Sequence, residues 1–192
     1  MLGQLKRLGL TSAPKLAIGD GSLSIWIALQ EEYGPVAQQR CWVHKTANIL
    51  DKMPKSVQGK AKQLIHQMYL APTRNAALAA YDQFISSYQI KFPKGCEWLQ
   101  KDKEVLFTFY DFPAQHWSHL RTTNSIESTL LPPASNHRTK GSGSRIATLT
   151  MVFKLGMEAS KHWRRLNGPE LVAKVVIGVK FIDGEEQIEQ AA

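Results

Sequence analysis

Lys15-Leu-Ala-Ile-Gly-Asp20-Gly-Ser-Leu-Ser-Ile-Trp-Ile-Ala-Leu-Gln-Glu-Glu-Tyr33 is the stretch whose reading decides the fold. Its first residues form a short apolar run between Pro14 and Gly19-Asp20-Gly21, the pattern of a buried strand ending in a tight turn. Ser22 stands where it can cap the segment that follows, whose length and composition read as helix, and Gly34-Pro35 supplies the stop. A second strand is predicted from Gln38 to Val43, which completes a β-turn-α-β unit. Open α/β sheets hold their ligands beyond the carboxyl ends of the strands, so Asp20 stands where such a fold places chemistry.

Beyond this unit the pattern becomes helical. Val57, Ala61, Leu64, Ile65 and Met68 recur at helical spacing, and after Pro72 so do Ala77, Ala80, Tyr81, Phe84, Ile85 and Tyr88. Two packed amphipathic helices are predicted, then shorter pieces around Gly95 to Gln100 and Lys103 to Tyr110. A helix should begin near Asn124, although Pro132 and Pro133 forbid a long one. The Gly/Ser-rich basic loop Asn136 to Arg145 feeds a long helix expected from about Ile146 to Leu166, before Gly168-Pro169. From Leu171 to Ile182 the residues suit a strand or a buried helix equally. The chain divides accordingly into residues 1–50 carrying Asp20, a helical block over 51–117, and a return to the core over 118–192. The fold class expected is mainly α with a small α/β part.

Composition narrows the function classes. The 192 residues are 43% hydrophobic, enough to bury a core. Lys and Arg number 24 against 16 Asp and Glu, a formal charge of +8 that suits a polyanion such as nucleic acid. Cys41 and Cys96 do not make a disulfide framework, and no stretch has the length and apolarity of a signal peptide or membrane helix. The expectation is a cytoplasmic protein with no membrane partner.

Three constellations carry candidate chemistry. The first joins Asp20 to Glu127, two carboxylates that could share a hard divalent cation. Asn124 followed three residues later by Glu127 is equally the pattern of a helix capping box, with Asp20 an ordinary turn residue. In the second, Cys41-x-x-His44 and His116-x-x-His119 supply the ligand count of a zinc site. Against it, Cys41 on a strand reads as a small buried hydrophobe, with His44 donating from the strand end to a carboxylate or the backbone. The third is basic: Arg138, Lys140 and Arg145, then Lys154, Lys161, Arg164 and Arg165. Lys154, Lys161 and Arg165 can line one helical face and hold phosphates, or form a solvated surface.

Five stretches in this order resemble the mutator-type transposases of bacterial insertion sequences: Ala17-Ile-Gly-Asp20-Gly-Ser-Leu, Gln39-Arg-Cys41-Trp-Val-His44 on to Ser56, Phe109 to Trp117, Arg121-Thr-Thr-Asn-Ser-Ile-Glu127-Ser, and Thr139-Lys-Gly. The resemblance covers nearly the whole chain and is similar to the carboxy-terminal part of that family. It implies a ribonuclease H-like core, incomplete in this chain, interrupted by an all-helical insertion. It also implies an Asp-Asp-Glu triad holding Mg²⁺ or Mn²⁺, with Asp20 matching the second aspartate and Glu127 the glutamate. Cys41 and His44 match the family's Cys-x-x-His signature and Asn124 the run leading to Glu127. Arg121, Arg138, Lys140 and Arg145 are the expected DNA-binding residues. The implied partners are DNA, as insertion-sequence ends and target, and other transposase copies in a homo-oligomer.

Two departures qualify that expectation. The family's first aspartate belongs to a strand upstream of the position matched by Asp20, so the expectation is a truncated transposase with little or no strand transfer by itself. After Glu127, Thr129-Leu-Leu-Pro-Pro-Ala-Ser-Asn136 is apolar and Pro-broken where the family continues a basic helix, the signature that a pair of compensating frameshifts would leave. The alternatives are a catalytically dead nucleic-acid-binding remnant that interferes with full-length transposase, and a zinc-dependent binding module using Cys41, His44, His116 and His119.

Overall fold

A computed structural model describes residues 2–124, 144–161, 163 and 165–187. Glu127, Arg138, Lys140 and Arg164, and the helix expected beyond Asn124, lie outside the described residues.

The opening stretch folds as a strand-turn-helix unit. Helix α1 (Leu2–Arg7) leads to strand β1 (Leu16–Gly19), helix α2 (Leu23–Tyr33) and strand β2 (Ala37–Arg40). The strands pair in parallel, in register from Leu16 opposite Ala37 to Gly19 opposite Arg40. Gly34 ends α2 at φ 75°, a left-handed conformation that glycine adopts without the steric cost of a Cβ. Ser22 does stand at the N-cap of α2, but its side chain makes no cap bond. Its Oγ pairs with Ser24 Oγ at 2.9 Å, and its N–H is taken by Asp20 Oδ1 at 3.0 Å.

The second strand departs from expectation, since β2 stops at Arg40 and helix α3 (Trp42–Leu50) starts two residues later with Cys41 as N-cap. The apolar run through Cys41, Trp42 and Val43 mimics a strand. What it begins is a helix burying Trp42, Lys45, Thr46 and Ile49, the spacing of one helical face. Lys45 in that face disguises its period.

The helical block forms as its periodicity predicts. Helices α4 (Lys55–Leu70) and α5 (Arg74–Tyr88) pack on one another, burying Ala61, Ile65 and Met68 against Ala77, Tyr81 and Phe84. Thr73 caps α5 by accepting the Ala76 N–H at 3.2 Å. Helices α6 (Pro93–Lys101) and α7 (Lys103–Leu106), a 3-10 turn over Thr108–Asp111 and the short helix α8 (Trp117–Leu120) close the core. Phe109, Tyr110 and Trp117 meet there ring to ring, and the Tyr110 hydroxyl donates to Ala71 O at 2.9 Å.

Helix α9 spans Arg145–Ser160, capped by Ser144, so the long helix expected to reach Leu166 ends earlier. It leaves Ile146, Leu149, Val152, Phe153 and Met157 exposed. The ambiguous tail resolves as both forms, helix α10 (Leu171–Ile177) and then a hairpin of β3 (Phe181–Ile182) with β4 (Glu185–Glu186). The result is mainly α with a small α/β part. Among the described residues no helix is long and apolar enough to cross a membrane.

Candidate functional site at the strand ends

The carboxyl ends of β1 and β2 bring four parts of the chain together. The Cys41 N–H donates to Gly19 O at 2.8 Å, and so joins the start of α3 to the end of β1. Trp42 N donates to Arg121 O at 2.9 Å, which brings in the segment after α8. Asp102, between α6 and α7, comes from the helical block. Gln39, fully buried, fixes that block to β2: its Oε1 accepts the Phe109 N–H at 2.9 Å and its Nε2 donates to Leu106 O at 3.0 Å.

Asp20 follows β1 and is exposed. Its Oδ1 orders the turn through Ser22, an Asx-type arrangement, and the carboxylate presents oxygen to solvent. Gly21 has φ 92°, and a Cβ built there would lie 2.3 Å from both Cζ and Nη1 of Arg40. The Arg40 guanidinium is thus stacked directly on the backbone of the Asp20 turn.

Arg40 is 5% exposed, and its Nε donates to Asp102 Oδ2 at 2.9 Å. Lys45, fully buried, donates to the same oxygen at 2.7 Å, and its Nζ also lies 5.7 Å from the centre of the Trp98 ring. Burial pulls the Lys45 ammonium below its usual range, against the opposing pull of Asp102. For Asp102 burial raises the carboxyl pKa, but the bonds and charges of Lys45 and Arg40 outweigh it and hold it below the usual carboxylate value. Arg40 Nη1 is buried without a hydrogen-bond partner.

Cys41 and His44 face each other, Sγ and Nδ1 3.2 Å apart, in the first turn of α3 and not on a strand. The Thr123 N–H and hydroxyl both donate to Sγ at 3.4 Å, and Thr122 Oγ1 lies 3.6 Å from it. Burial raises the Cys41 thiol's pKa, yet the His44 backbone N–H, the Thr123 donors and the imidazole together lower it to about 6. The pair therefore ties the chain leading to Glu127 onto the strand ends, and Asn124 begins that segment with its N–H on Thr122 Oγ1 at 3.0 Å.

The other sequence candidates are placed elsewhere. His116 is buried with Nε2 2.9 Å from Gly168 O, and His119 Nε2 accepts the Asn167 N–H at 3.2 Å. These histidines hold the turn between α9 and α10, and among the described residues no group of three or more His, Cys, Asp or Glu could hold a metal ion. Arg121 lays its guanidinium on the rings of Phe109 at 4.9 Å and Trp117 at 5.3 Å, and burial lowers its pKa. Arg145 is exposed at the start of α9.

Sequence reasoning missed Arg40, Lys45 and Asp102. Arg40 and Lys45 flank the Cys41-x-x-His44 signature, and two basic residues beside a strand end are a usable signal. Asp102 carries none, because its role depends on contacts 57 and 62 positions away.

The chain itself has relatives among known proteins. The family model described as "Transposase, Mutator family" matches residues 1–133. Over 185 residues, 96% of this chain, the chain is 49% identical to the transposase for insertion sequence element IST2 of Acidithiobacillus ferrooxidans, covering 62% of that protein. It is 44% identical over 185 residues to the transposase for insertion sequence element IS6120 of Mycolicibacterium smegmatis, covering 57% of it. The transposase for insertion sequence element ISRM5 of Rhizobium meliloti is 27% identical over 86% of this chain. The chain thus spans about three fifths of the length of the first two relatives.

Proposed function

This chain belongs to the mutator family of transposases, and on that premise we propose that it takes part in DNA transposition, by metal-dependent cleavage of a phosphodiester and strand transfer. The observation that carries this reading is the exposed carboxylate of Asp20 at the carboxyl end of β1, beside the buried cations of β2 and α3. The complete fold in this reading is a ribonuclease H-like core around the β1–β2 pair, interrupted by the helical block.

A hard divalent cation suits the donor at Asp20, an exposed carboxylate on an ordered turn. Asp20 and Glu127 would hold it, with Glu127 carried to the site by the segment that Cys41, His44 and Thr123 anchor. When bound, Mg²⁺ or Mn²⁺ supplies Lewis-acid stabilisation of the charge that develops on the attacked phosphate. The chain's own residues keep that charge next to the fixed cations of Arg40 and Lys45. Arg40 and Lys45 are buried, which places the cations in a medium where they act more strongly. Arg138, Lys140 and Arg145 are proposed to hold the DNA backbone, and other transposase copies are the proposed protein partners.

Of the three carboxylates that the resemblance implies, Asp20 and Glu127 are the two matched within these residues, so the chain alone should give little strand transfer. The test is strand transfer on a labelled insertion-sequence end with Mg²⁺ or Mn²⁺, by this chain alone and with the upstream part of a relative supplied separately. Activity in the supplemented arm that disappears in Asp20→Ala and Glu127→Ala supports the reading. Inactivity in both arms with folded protein points to a nucleic-acid-binding remnant, and salt-insensitive or absent DNA binding besides would overturn the DNA reading altogether.

A further inference from the structure

We propose that Arg40 is an anion-binding residue of the strand-end site, whose Nη1 takes a non-bridging oxygen of a DNA phosphate, an inference that rests on the DNA reading above for its ligand but not for its chemistry. Three observations lead there. The cluster holds two cations, Arg40 and Lys45, against the single carboxylate of Asp102, and both cations are at least nine-tenths buried. A buried positive charge in excess of its counter-charge is costly unless a further anion joins it.

The unmet bonding capacity is localised as well. Nε is spent on Asp102, while Nη1 is buried with no partner, and an orphaned N–H of a charged group is an uncommon thing for a fold to keep. Asp20, one residue from Gly21, directs Oδ1 to the Ser22 N–H and does not bond Nη1. With Nε anchored, the planar guanidinium has one orientation, so Nη1 is pre-aimed.

Finally, the guanidinium lies directly against the backbone of Gly21. Any side chain at residue 21 would occupy the position of the guanidinium. The Asp20–Ser22 turn lies against the guanidinium with Asp20 and Ser22 exposed, and in this proposal a shift of that turn uncovers Nη1 to a phosphodiester held at Asp20. Asp102 and Lys45 are then positioning residues, fixing the guanidinium and supplying the excess charge. Phosphate is favoured over other anions because a polyanion is the partner that the +8 charge of the whole chain suits.

The test uses the full chain, with arginine side chains labelled with ¹⁵N and the Arg40 signals assigned by their absence in Arg40→Lys. Inorganic phosphate and then a DNA duplex carrying an insertion-sequence end are titrated in without divalent metal. The expected result is that the Arg40 Nε and Nη signals move with both probes. In parallel, DNA affinity is measured against salt: Arg40→Gln should lower the slope of log affinity against log salt by about 0.9, the loss of one phosphate contact. A merely structural Arg40 would leave that slope unchanged. Thermal unfolding reports whether Arg40→Gln is folded; if it is not, the titration of the wild-type chain decides. Arg40 signals that stay still with both probes overturn the proposal even where DNA binds. Signals that move with phosphate in a chain that does not bind DNA uphold the anion site and defeat the DNA reading.

Discussion

The guanidinium of Arg40 and the backbone of Gly21 are stacked so closely that no side chain fits between them. Gly21 also holds φ 92°, where an L-residue is strained. Gly21→Ala should therefore destabilise the chain by about 1–3 kcal/mol, from strain and from displacement of Arg40. Gly59→Ala, inside α4 with open space about its Cα, should instead be neutral or stabilising by up to about 1 kcal/mol. Denaturant melts of the two variants check the contrast.

Removing Asp102 leaves two buried cations facing one another. Asp102→Ala should cost about 3 kcal/mol, the low end of the range for breaking a buried pair because the Asp102 side chain is 22% exposed. The sign of its pH dependence follows from its lowered pKa. The stabilisation is complete above the ordinary carboxylate value and is lost as pH falls through the folded value, so wild-type chain should lose stability in acid more steeply than Asp102→Asn. Equilibrium unfolding across the acid range is the measurement, and equal slopes would refute it.

Cys41 titrates in the opposite direction from an ordinary buried thiol. Its folded pKa of about 6 lies below the reference value of 9.0, so the thiolate's stabilisation is fully present above pH 9.0 and gone below about 6. Stability should rise across that window by at most about 1.4 kcal/mol per pH unit, and Cys41→Ser should flatten the rise. Thiolate absorbance in the far ultraviolet gives the midpoint directly, with Cys96, whose pKa burial raises, as the internal contrast.

His116 pins the carboxy-terminal segment to the helical core through Gly168 O. His116→Ala should cost about 1 kcal/mol, the loss of one hydrogen bond from a carbonyl that keeps the Leu171 N–H at 3.0 Å. The effect should be local: amide exchange in Leu171–Ile177 should accelerate while α4 and α5 keep their protection. Uniform acceleration would show instead that the segment and the core open as one unit.

How much of this is legible in the sequence depends on whether the deciding contacts are local. The α4–α5 pair was legible because Ala61, Ile65, Ala77, Tyr81 and Phe84 repeat at helical spacing within short windows. Asp20 was legible at its strand end because the glycines on either side mark the turn. The start of α3 was not, since its buried face includes Lys45, a residue that reads as solvent-facing until Asp102 arrives. The early end of α9 was hidden for the same kind of reason, because the turn at Asn167 and Gly168 is held by His116 and His119 from far upstream. Cys41 reads as a plain hydrophobe on a strand, and it is an N-cap thiol ringed by donors from His44 in its own helix and from distant Thr123.

The span of those contacts has a consequence for how the chain acquires its site. Arg40 meets Asp102 across 62 positions, Gln39 meets Phe109 across 70, and Cys41 meets Thr123 across 82, whereas α4 and α5 are joined by a short turn. Contacts that close long loops form late, so the helical block should condense first and the strand ends should order only after it has docked. During synthesis β1 and β2 will have left the ribosome well before Thr123 does, and until then Asp20 sits on a turn with neither buried cations nor an anchored thiol behind it. A nascent chain stalled once the helical block has emerged but before Thr123 has would be folded in its middle and chemically blank at its beginning.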